Sequence, residues 1–358
     1  MSRARILAAM SGGVDSSVAA ALAAERGDEV VGVTMKLLPR GETGFGCCGS
    51  PADVDDARRV CEKIGIPHYV VDMADLFESK VIRPFVESYL SGRTPNPCVE
   101  CNRSVKFGHL LGLAEAWGCA RVATGHYARV EDGRLLKSVD AAKDQTYFLY
   151  ALTARELSRV EFPVGGLAKD AVRAKARALG LKTADKPESM ETCFVPARDV
   201  RGFVAARPEA AGAAALTPGE IRDVSGRRLG AHPGVASYTV GQRKGLGLSS
   251  AEPLYVVSLD ARENVVVVGG AGEEYSAGLT AAAVSWTGSA PAGPRRAEVR
   301  VRHRHAPAPA EICVRPDGAV TARFDVPQRA VAPGQAAVFY DGDAVLGGGT
   351  IVSGGLEP

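Results

Sequence analysis

Residues 5–17 read RILAAMSGGVDSS and decide how the first half of this chain folds. The apolar run Arg5–Met10 predicts a buried strand, and the alanine-rich segment Ser16–Arg26 predicts a helix that Gly27 terminates. A glycine turn between such a strand and helix directs backbone N–H groups and the helix dipole at an anion. The turn has neither a Gly-Lys-Ser/Thr ending nor a G-x-G-x-x-G pattern, so we predict a phosphate site of another type.

Strand and helix patterns alternate after this turn. Glu29–Leu37 is rich in β-branched residues, and Ala52–Ile64 has a helical charge periodicity that ends at Gly65. The next predicted elements are strand His68–Asp72, helix Val105–Trp117 and strand Arg121–Thr124. This rhythm predicts an α/β doubly wound parallel sheet with right-handed crossovers.

The character of the sequence changes beyond about Cys193. Short β-like runs separated by turn residues follow, namely Leu254–Leu259, Val265–Val268, Glu298–Arg302 and Ala336–Tyr340. The alanine-rich stretch Ala205–Leu216 is predicted to lie on the surface and not to form a core helix. We therefore predict a doubly wound domain at 1–198, a small β-rich central domain at 199–272 and a C-terminal β-barrel domain at 273–358.

The composition describes a globular chain. Its 358 residues predict two or three domains at about 150 residues each, and 46% hydrophobic with 23% charged residues excludes the disordered and collagen-like classes. A net charge of +2 does not by itself indicate a nucleic-acid binder. We expect no signal peptide, no membrane span and a cytoplasmic location, since no run of about 18 apolar residues occurs.

Eight cysteines are too few for a disulfide scaffold, so their spacing is more informative than their number. Cys98 and Cys101 form a C-x-x-C pair in a loop that Pro95 and Pro97 stiffen, which predicts that the thiols are presented to solvent. Cys193 follows later, and Cys47–Cys48 form a further pair. A zinc site built from Cys98, Cys101 and two other ligands is one chemical possibility.

The turn at residues 11–16 resembles the PP-loop of the ATP pyrophosphatase superfamily, whose members cleave ATP between the α and β phosphates. The resemblance implies ATP and Mg²⁺ as cofactors, because a metal ion would neutralise the pyrophosphate charge. The adenine is expected near the end of the second strand, where Met35 stands. The implied ATP contacts are Ala9, Met10, Ser11, Gly12, Gly13, Val14, Asp15, Ser16, Met35 and Gly125.

Further segments resemble the tRNA 2-thiouridylase family within this superfamily, and the similarity covers nearly the whole chain. They are Thr94–Asn102, Ala123–Tyr127, Lys143–Tyr147, Thr192–Phe194, Gly241–Gly245 and Pro333–Gln335. That family installs sulfur at C2 of the wobble uridine in the tRNAs for Lys, Glu and Gln. The resemblance implies tRNA as substrate and a persulfide donor, a cysteine desulfurase or relay protein, as partner.

The resemblance also implies roles for individual residues. Cys101 matches the nucleophile and Cys193 the cysteine that carries the persulfide, and the two can close a disulfide after turnover. Cys101 lies close to a predicted helix start, which favours the thiolate. Asp15 and Cys98 complete the implied catalytic set. The implied tRNA contacts are Asn96, Pro97, Cys98, His126, Lys143, Asp144, Gln145, Arg302, His303 and Gln335.

The segment Arg300–His305 alternates basic residues. As a strand it would place Arg300, Arg302 and Arg304 on one face, which predicts a basic stripe suited to phosphates.

Cys98 departs from the commonest family pattern, which has aspartate at this position. Three thiols, Cys98, Cys101 and Cys193, suit an oxygen-labile [4Fe–4S] cluster with one open iron, so such a cluster and a persulfide relay are alternative sulfur carriers.

Two other functions are compatible with parts of the sequence. Another PP-loop tRNA sulfurase or an amidotransferase-type ligase would share Ser11–Ser17 without needing both Cys101 and Cys193. A zinc-stabilised RNA-binding protein would keep the basic residues and have no use for Asp15 or for reactive thiols. Reactive cysteines therefore discriminate between these functions.

Overall fold

A computed structural model describes residues 3–38, 50–187 and 192–355 of the chain. Cys47, Cys48 and residues 188–191 lie outside the described residues. The described part contains three sheets that follow one another along the sequence, with one hairpin shared between the first region and the last. In this part no helix has both the length and the apolar character needed to cross a bilayer.

The first region is a parallel sheet with strand order β3-β2-β1-β4-β7. Its strands are β1 Arg5–Ala9, β2 Glu29–Lys36, β3 His68–Asp72, β4 Arg121–Ala123 and β7 Val160–Glu161. The order reverses between β1 and β4, and ligands of such sheets bind at this point, beyond the carboxyl ends of the strands. The predicted doubly wound sheet is confirmed.

Helices connect these strands. They are α1 Val14–Glu25, α2 Pro51–Ile64, α3 Ala74–Phe77, α4 Arg83–Leu90, α5 Pro97–Glu100, α6 Gly108–Ala116, α7 Ala154–Leu157, α8 Lys169–Ala178 and α9 Val200–Ala205. The helix predicted from Val105 begins earlier, because Pro97 occupies the first turn of α5 and π-helical turns at Cys101–Phe107 join α5 to α6. Shorter π- or 3₁₀-helical turns occupy Glu78–Ile82, Thr146–Phe148, Lys182–Asp185, Pro196–Arg198, Pro208–Ala210, Ala214–Leu216 and Val235–Ser237.

The central region is a four-stranded sheet of order β10-β11-β8-β9. Its strands are β8 Gly219–Asp223, β9 Arg228–His232, β10 Tyr255–Asp260 and β11 Val265–Gly269. The expectation that Ala205–Leu216 stays on the surface is wrong in part. Ala210 and Ala215 are buried, and Ala215 packs into the core of the central region.

The last region is a closed six-stranded barrel, since β12 pairs with both β15 and β17. Its strands are β12 Tyr275–Trp286, β13 Arg295–Arg300, β14 Ala308–Val314, β15 Val320–Arg329, β16 Ala336–Asp341 and β17 Ala344–Ser353. The predicted barrel is confirmed. A hairpin from the first region, β5 Ala128–Glu131 and β6 Arg134–Lys137, extends the barrel sheet through a pairing of β6 with β17.

The predicted basic stripe on a strand is wrong. Strand β13 ends at Arg300, and Arg302 and Arg304 lie in the turn that follows. Arg300 donates to the His305 carbonyl and contacts Asp144, and Arg302 donates to the Val240 carbonyl of the central region at 2.7 Å. Two of these three arginines therefore hold the domains together.

The barrel also holds the loop that precedes α5. Thr94 N–H donates to the Pro333 carbonyl at 2.9 Å, and the Gln335 amide donates to the carbonyls of Thr94 and Pro95. Gly334 has φ +92°, and a Cβ there would lie 2.8 Å from the Thr94 carbonyl oxygen. Only glycine permits this approach, so the barrel loop sets the position of the C-x-x-C segment.

Candidate active site

The turn between β1 and α1 is shaped as an anion-binding loop. The Ser16 hydroxyl accepts from Ser11 N–H at 3.1 Å and donates to the Gly13 carbonyl at 3.1 Å, so these serines organise the loop from within. No side chain caps α1, whose N-cap is Gly13. The first N–H groups of α1 therefore face the cavity without a side-chain competitor, as a phosphate site requires.

Gly125 lets the end of β4 touch this loop. A Cβ at position 125 would lie 2.5 Å from Ser16 N and 2.6 Å from Asp15 C, closer than side-chain carbons approach. The predicted ATP contact Gly125 is thus placed against the loop, at the point where the strand order reverses.

An ion pair that sequence reasoning missed lies beside the loop. Lys169 is 8% exposed, and its ammonium contacts the two Asp15 carboxylate oxygens at 2.7 and 2.8 Å. The Tyr127 hydroxyl donates to the same carboxylate at 2.9 Å. Lys169 is the first residue of α8, where a cation interacts unfavourably with the helix dipole. A lysine at this unfavourable position is the sequence feature that could have marked Lys169 as a candidate site residue.

A second missed lysine lies on the other side of the loop. The Lys186 ammonium donates to the Gly12 carbonyl at 3.0 Å and to the carboxylates of Asp53 and Asp56 at 2.7 Å each. Burial alone would lower the pKa of Lys186, but the hydrogen bonds that Lys186 donates to both carboxylates outweigh burial and raise that pKa. Lys186 is therefore a cation held next to the phosphate loop.

These groups line a cavity of about 330 Å³, within the range of small-molecule sites. Lys106 and Lys143 also line it, so among the described residues of the lining four lysines outnumber two aspartates, Asp15 and Asp53. The excess of positive charge fits a polyphosphate. Met35 is buried in the core, and Leu37, which follows β2, lines the cavity instead. The side chains of Ala9 and Met10 pack against the core, which leaves their backbone for any ATP contact.

The three predicted thiols line this same cavity. The cavity wall includes Cys98, Cys101 and Cys193. Cys98 is exposed to the cavity as predicted, but Cys101 is only 8% exposed, so the expectation that both thiols are presented is wrong for Cys101. The helical turn that begins at Pro97 places Cys101 on the side facing the core.

The thiols do not form a ready metal site. Among the residues that the structure describes, no group of three or more His, Cys, Asp or Glu side chains is arranged to hold a metal ion. A zinc site is therefore not preassembled among the described residues, and the three-thiolate cluster stays a prediction.

Protein atoms surround the Cys98 thiol on most sides although it keeps contact with the cavity solvent. This desolvation, and then the nearby Cys193, raise the pKa of Cys98 to about 11, against a smaller opposing effect of Lys106. A raised thiol pKa favours the neutral, unreactive form near neutral pH.

We expect Cys98 to react slowly with iodoacetamide at pH 8. Its thiolate fraction there is about 100-fold below that of a cysteine with an ordinary pKa, and it rises about tenfold per pH unit up to about pH 11. Alkylation rates of the Cys98 peptide, followed by mass spectrometry between pH 7 and about 10.5, test this. A rate that levels off below about pH 9 contradicts the raised pKa.

A wider groove of about 920 Å³ opens next to the cavity. Pro97, Cys98, Lys106, Lys143 and Gln145 line both, so the two spaces meet at this wall. The groove brings together most of the predicted tRNA contacts, which are Asn96, Pro97, Cys98, His126, Lys143, Asp144, Gln145, His303 and Gln335. Arg302 is not part of the lining and lies at the seam with the central region.

Several groove residues also have structural partners. The Asp144 carboxylate is buried and accepts from Ser138 N–H, the Thr146 hydroxyl and Arg300. His126 bonds Thr124 through Nδ1 at 2.7 Å, and burial, then the charge of Lys106, hold the pKa of His126 well below its usual range. His126 is therefore a neutral imidazole at physiological pH.

Comparisons with known proteins identify the family of the chain. A family model described as the tRNA methyl transferase HUP domain matches residues 4–197, a PRC-barrel domain model of that family matches 212–270, and an aminomethyltransferase beta-barrel domain model matches 276–351. The chain is 50% identical to the tRNA-specific 2-thiouridylase MnmA of Solibacter usitatus, with 97% of this chain and 98% of that protein covered. It is 51% identical to that of Sorangium cellulosum (98% and 92% covered) and 48% identical to that of Geotalea uraniireducens (98% and 95%). The chain belongs to the tRNA-specific 2-thiouridylase MnmA family.

Membership in the MnmA family confirms the family resemblance predicted from the sequence. The PP-loop core of that family supports ATP binding. Because the MnmA relatives are covered nearly end to end, all three regions described above have counterparts in them. In this member of the MnmA family, the lysines at 169 and 186 join the phosphate loop as further candidates for ATP contact.

Proposed function

We propose that this chain catalyses the ATP-dependent 2-thiolation of the wobble uridine in the tRNAs for Lys, Glu and Gln. The observation that carries the proposal is the wall shared by the two spaces. A uridine lying in the groove at Cys98 would have its C2 carbonyl next to the cavity that contains the phosphate loop and two further thiols. Flipping the base out of the anticodon loop supplies that geometry.

The first step joins AMP to the base. The uridine O2 attacks the α-phosphorus of ATP, pyrophosphate leaves, and C2 then carries a good leaving group. The uncapped start of α1, Lys169 and Lys186 stabilise the charge that develops on the departing pyrophosphate. Asp15 and Asp53 are the cavity carboxylates that fit Mg²⁺ arriving with ATP, since Mg²⁺ takes one or two carboxylates besides phosphate oxygens.

The second step brings sulfur to C2. We propose that the terminal sulfur of a persulfide on Cys193 bonds to C2 while AMP leaves with the former carbonyl oxygen. The Cys101 thiolate then attacks Cys193 Sγ and breaks the S–S bond, so 2-thiouridine is released and a Cys101–Cys193 disulfide forms. An external thiol reductant must reduce this disulfide before the next turnover.

The persulfide comes from a donor, a cysteine desulfurase or a relay protein, that must reach Cys193. The partly exposed position of Cys193 in the cavity wall is compatible with such a transfer. We place the reaction in the cytoplasm, where tRNA is modified. We also propose that the chemistry resides in residues 1–198, with 199–272 and 273–358 as the central and barrel domains that support tRNA.

The [4Fe–4S] cluster on Cys98, Cys101 and Cys193 stays a prediction. The cluster requires iron and an absorbance band at about 400 nm after anaerobic purification. Absence of both, together with full thiolation by a metal-free enzyme and a desulfurase, contradicts the cluster and leaves Cys98 as a neutral thiol beside the target base.

The proposed function is tested with purified enzyme, labelled ATP, a desulfurase and unmodified tRNA. We expect AMP and pyrophosphate to form only when cognate tRNA is present, because the base must occupy the groove before O2 can reach the α-phosphorus. Nucleoside mass spectrometry should detect 2-thiouridine at the wobble position. ADP and phosphate as products, or no thiolated nucleoside, would refute the proposal.

A further inference from the structure

A second open groove of about 880 Å³ lies between the central region and the barrel. None of the residues that the sequence predicted as site residues lines it. Its wall includes Arg243 and Lys244 from the central region and Tyr275 and Arg329 from the barrel. The groove therefore spans two regions, and each of them contributes cations to it.

The groove has an excess of positive charge. Arg243 and Lys244 are exposed. Arg329 bonds the buried Glu274 carboxylate at 3.0 Å, and its guanidinium stacks at 4.9 Å from the ring of Tyr255. Three cations thus face one carboxylate, which is already paired.

Aromatic rings accompany these cations. Tyr275 is 49% exposed at the groove, and Tyr255 lines it beneath Arg329. In RNA-binding sites, cations bind the phosphates and accessible aromatic rings stack on the bases. This groove contains both kinds of group.

The groove is connected to the catalytic groove through the seam at Arg302. Arg302 donates to the Val240 carbonyl, two residues before Gln242, which lines the second groove. Its neighbour His303 lines the catalytic groove and packs 4.5 Å from the Phe148 ring. A Cβ at Gly241 would lie 2.2 Å from the Ala330 Cβ, so the two regions are in close contact at this seam. The two grooves therefore lie on either side of one seam, and a single extended polyanion is the class of ligand that could contact both.

We propose that the groove formed by Arg243, Lys244, Tyr255, Tyr275 and Arg329 binds the sugar–phosphate backbone of the same tRNA whose wobble base enters the catalytic cavity. The inference rests on the proposed function for the identity of the RNA. The contact adds affinity and orientation and carries no base sequence information.

The test compares two double variants with equal charge change. Arg243→Glu/Lys244→Glu alters the groove. The control is Arg262→Glu/Arg323→Glu, with Arg262 in the turn at the far end of the β10–β11 hairpin and Arg323 six residues before Arg329 on β15. All four side chains are exposed, so both variants should fold, which thermal melting verifies.

Affinity for full-length tRNA is measured by filter binding at several salt concentrations. We expect the groove variant to bind at least about 10-fold more weakly near physiological salt, with a salt slope lower by about two, one for each phosphate that the groove no longer neutralises. The control should stay within about twofold of wild type. Backbone footprinting should show weaker protection in one segment outside the anticodon loop. The single variant Lys244→Ala should lower the slope by about one.

Equal affinity, slope and footprint in the two double variants would overturn the inference. Thiolation and tRNA binding by the wild type, measured with the same preparations, separate the two proposals. If the wild type thiolates tRNA and the groove variant binds like the control, the groove assignment alone fails. If the wild type neither binds nor thiolates tRNA, the proposed function fails and the groove assignment with it.

Discussion

Replacing Asp15 with asparagine is expected to abolish tRNA-dependent release of pyrophosphate. Asp15 bonds the ammonium of Lys169, which is 8% exposed, and accepts the Tyr127 hydroxyl. Asparagine keeps the shape but removes the negative charge, so Lys169 loses its counterion and its position beside the phosphate loop. Removing one partner of a fully buried pair costs about 3–5 kcal/mol, and the partial exposure of Asp15 places the cost here below that range.

The effect on the rate should exceed the effect on stability, because both groups line the cavity in which we propose that ATP reacts. We expect a loss of at least about 100-fold in pyrophosphate release, measured with labelled ATP and cognate tRNA. Asp28→Asn is the matched control: Asp28 pairs with Arg26 at the opposite end of α1, away from the loop. Tyr127→Phe, which removes only the hydroxyl, should cause a smaller loss. Near-wild-type turnover by Asp15→Asn would show that this carboxylate has no part in the reaction.

Replacing Cys101 or Cys193 with serine is expected to abolish thiolation and to leave the formation of pyrophosphate in place. Both thiols line the cavity. In the proposed sulfur transfer Cys193 carries the persulfide, and Cys101 attacks Cys193 Sγ to release the product. A hydroxyl can neither carry a persulfide sulfur nor attack one, so the loss should be at least about 1000-fold in 2-thiouridine formed. Adenylation uses no thiol and should continue.

The matched control for both variants is Cys313→Ser. Cys313 is partly exposed like Cys193, but it lies on β14 of the barrel. Nucleoside mass spectrometry and a pyrophosphate assay on the same reactions separate the two steps. If Cys101→Ser also stops pyrophosphate release, Cys101 has a role in adenylation that the proposed sequence of steps omits. If Cys193→Ser thiolates normally, Cys193 is not the sulfur carrier.

The phosphate loop could be predicted from the sequence because its physics is local. A buried strand, a turn with glycine at positive φ and the start of a helix follow one another within residues 5–17, and Gly12 has φ +73° as such a turn requires. The order of strands and helices was predictable for the same reason, since each element has its own periodicity. The pairing of strand β6 with the barrel strand β17 was not predictable in this way, because it joins residues about 200 positions apart.

The lysines of the cavity could not be found in this way. Lys169 and Lys186 are separated from their partners, the Asp15 carboxylate and the Gly12 carbonyl, by 154 and 174 positions, and no local pattern links a lysine to an acceptor that far along the chain. The basic run at 300–304 misled for the opposite reason. Its alternation satisfies the pattern of a strand, but β13 ends at Arg300, and Arg302, in the turn that follows, donates to the Val240 carbonyl of the central region.

By itself the sequence determined the doubly wound sheet, the phosphate loop and the Cys98–Cys101 pair, because strand and helix periodicity and cysteine spacing are properties of neighbouring residues, whereas Cys193 was indicated by the family resemblance. Tertiary structure alone decided which charges line the cavity, that Cys101 is turned toward the core, and that the cavity meets the wider groove at Cys98. The lysine pairs form within the first region, whereas the position of α5, which carries Cys98, is set where the barrel loop at Gly334 packs on Thr94. All of these contacts join residues distant in sequence, so their geometry exists only once the chain has folded.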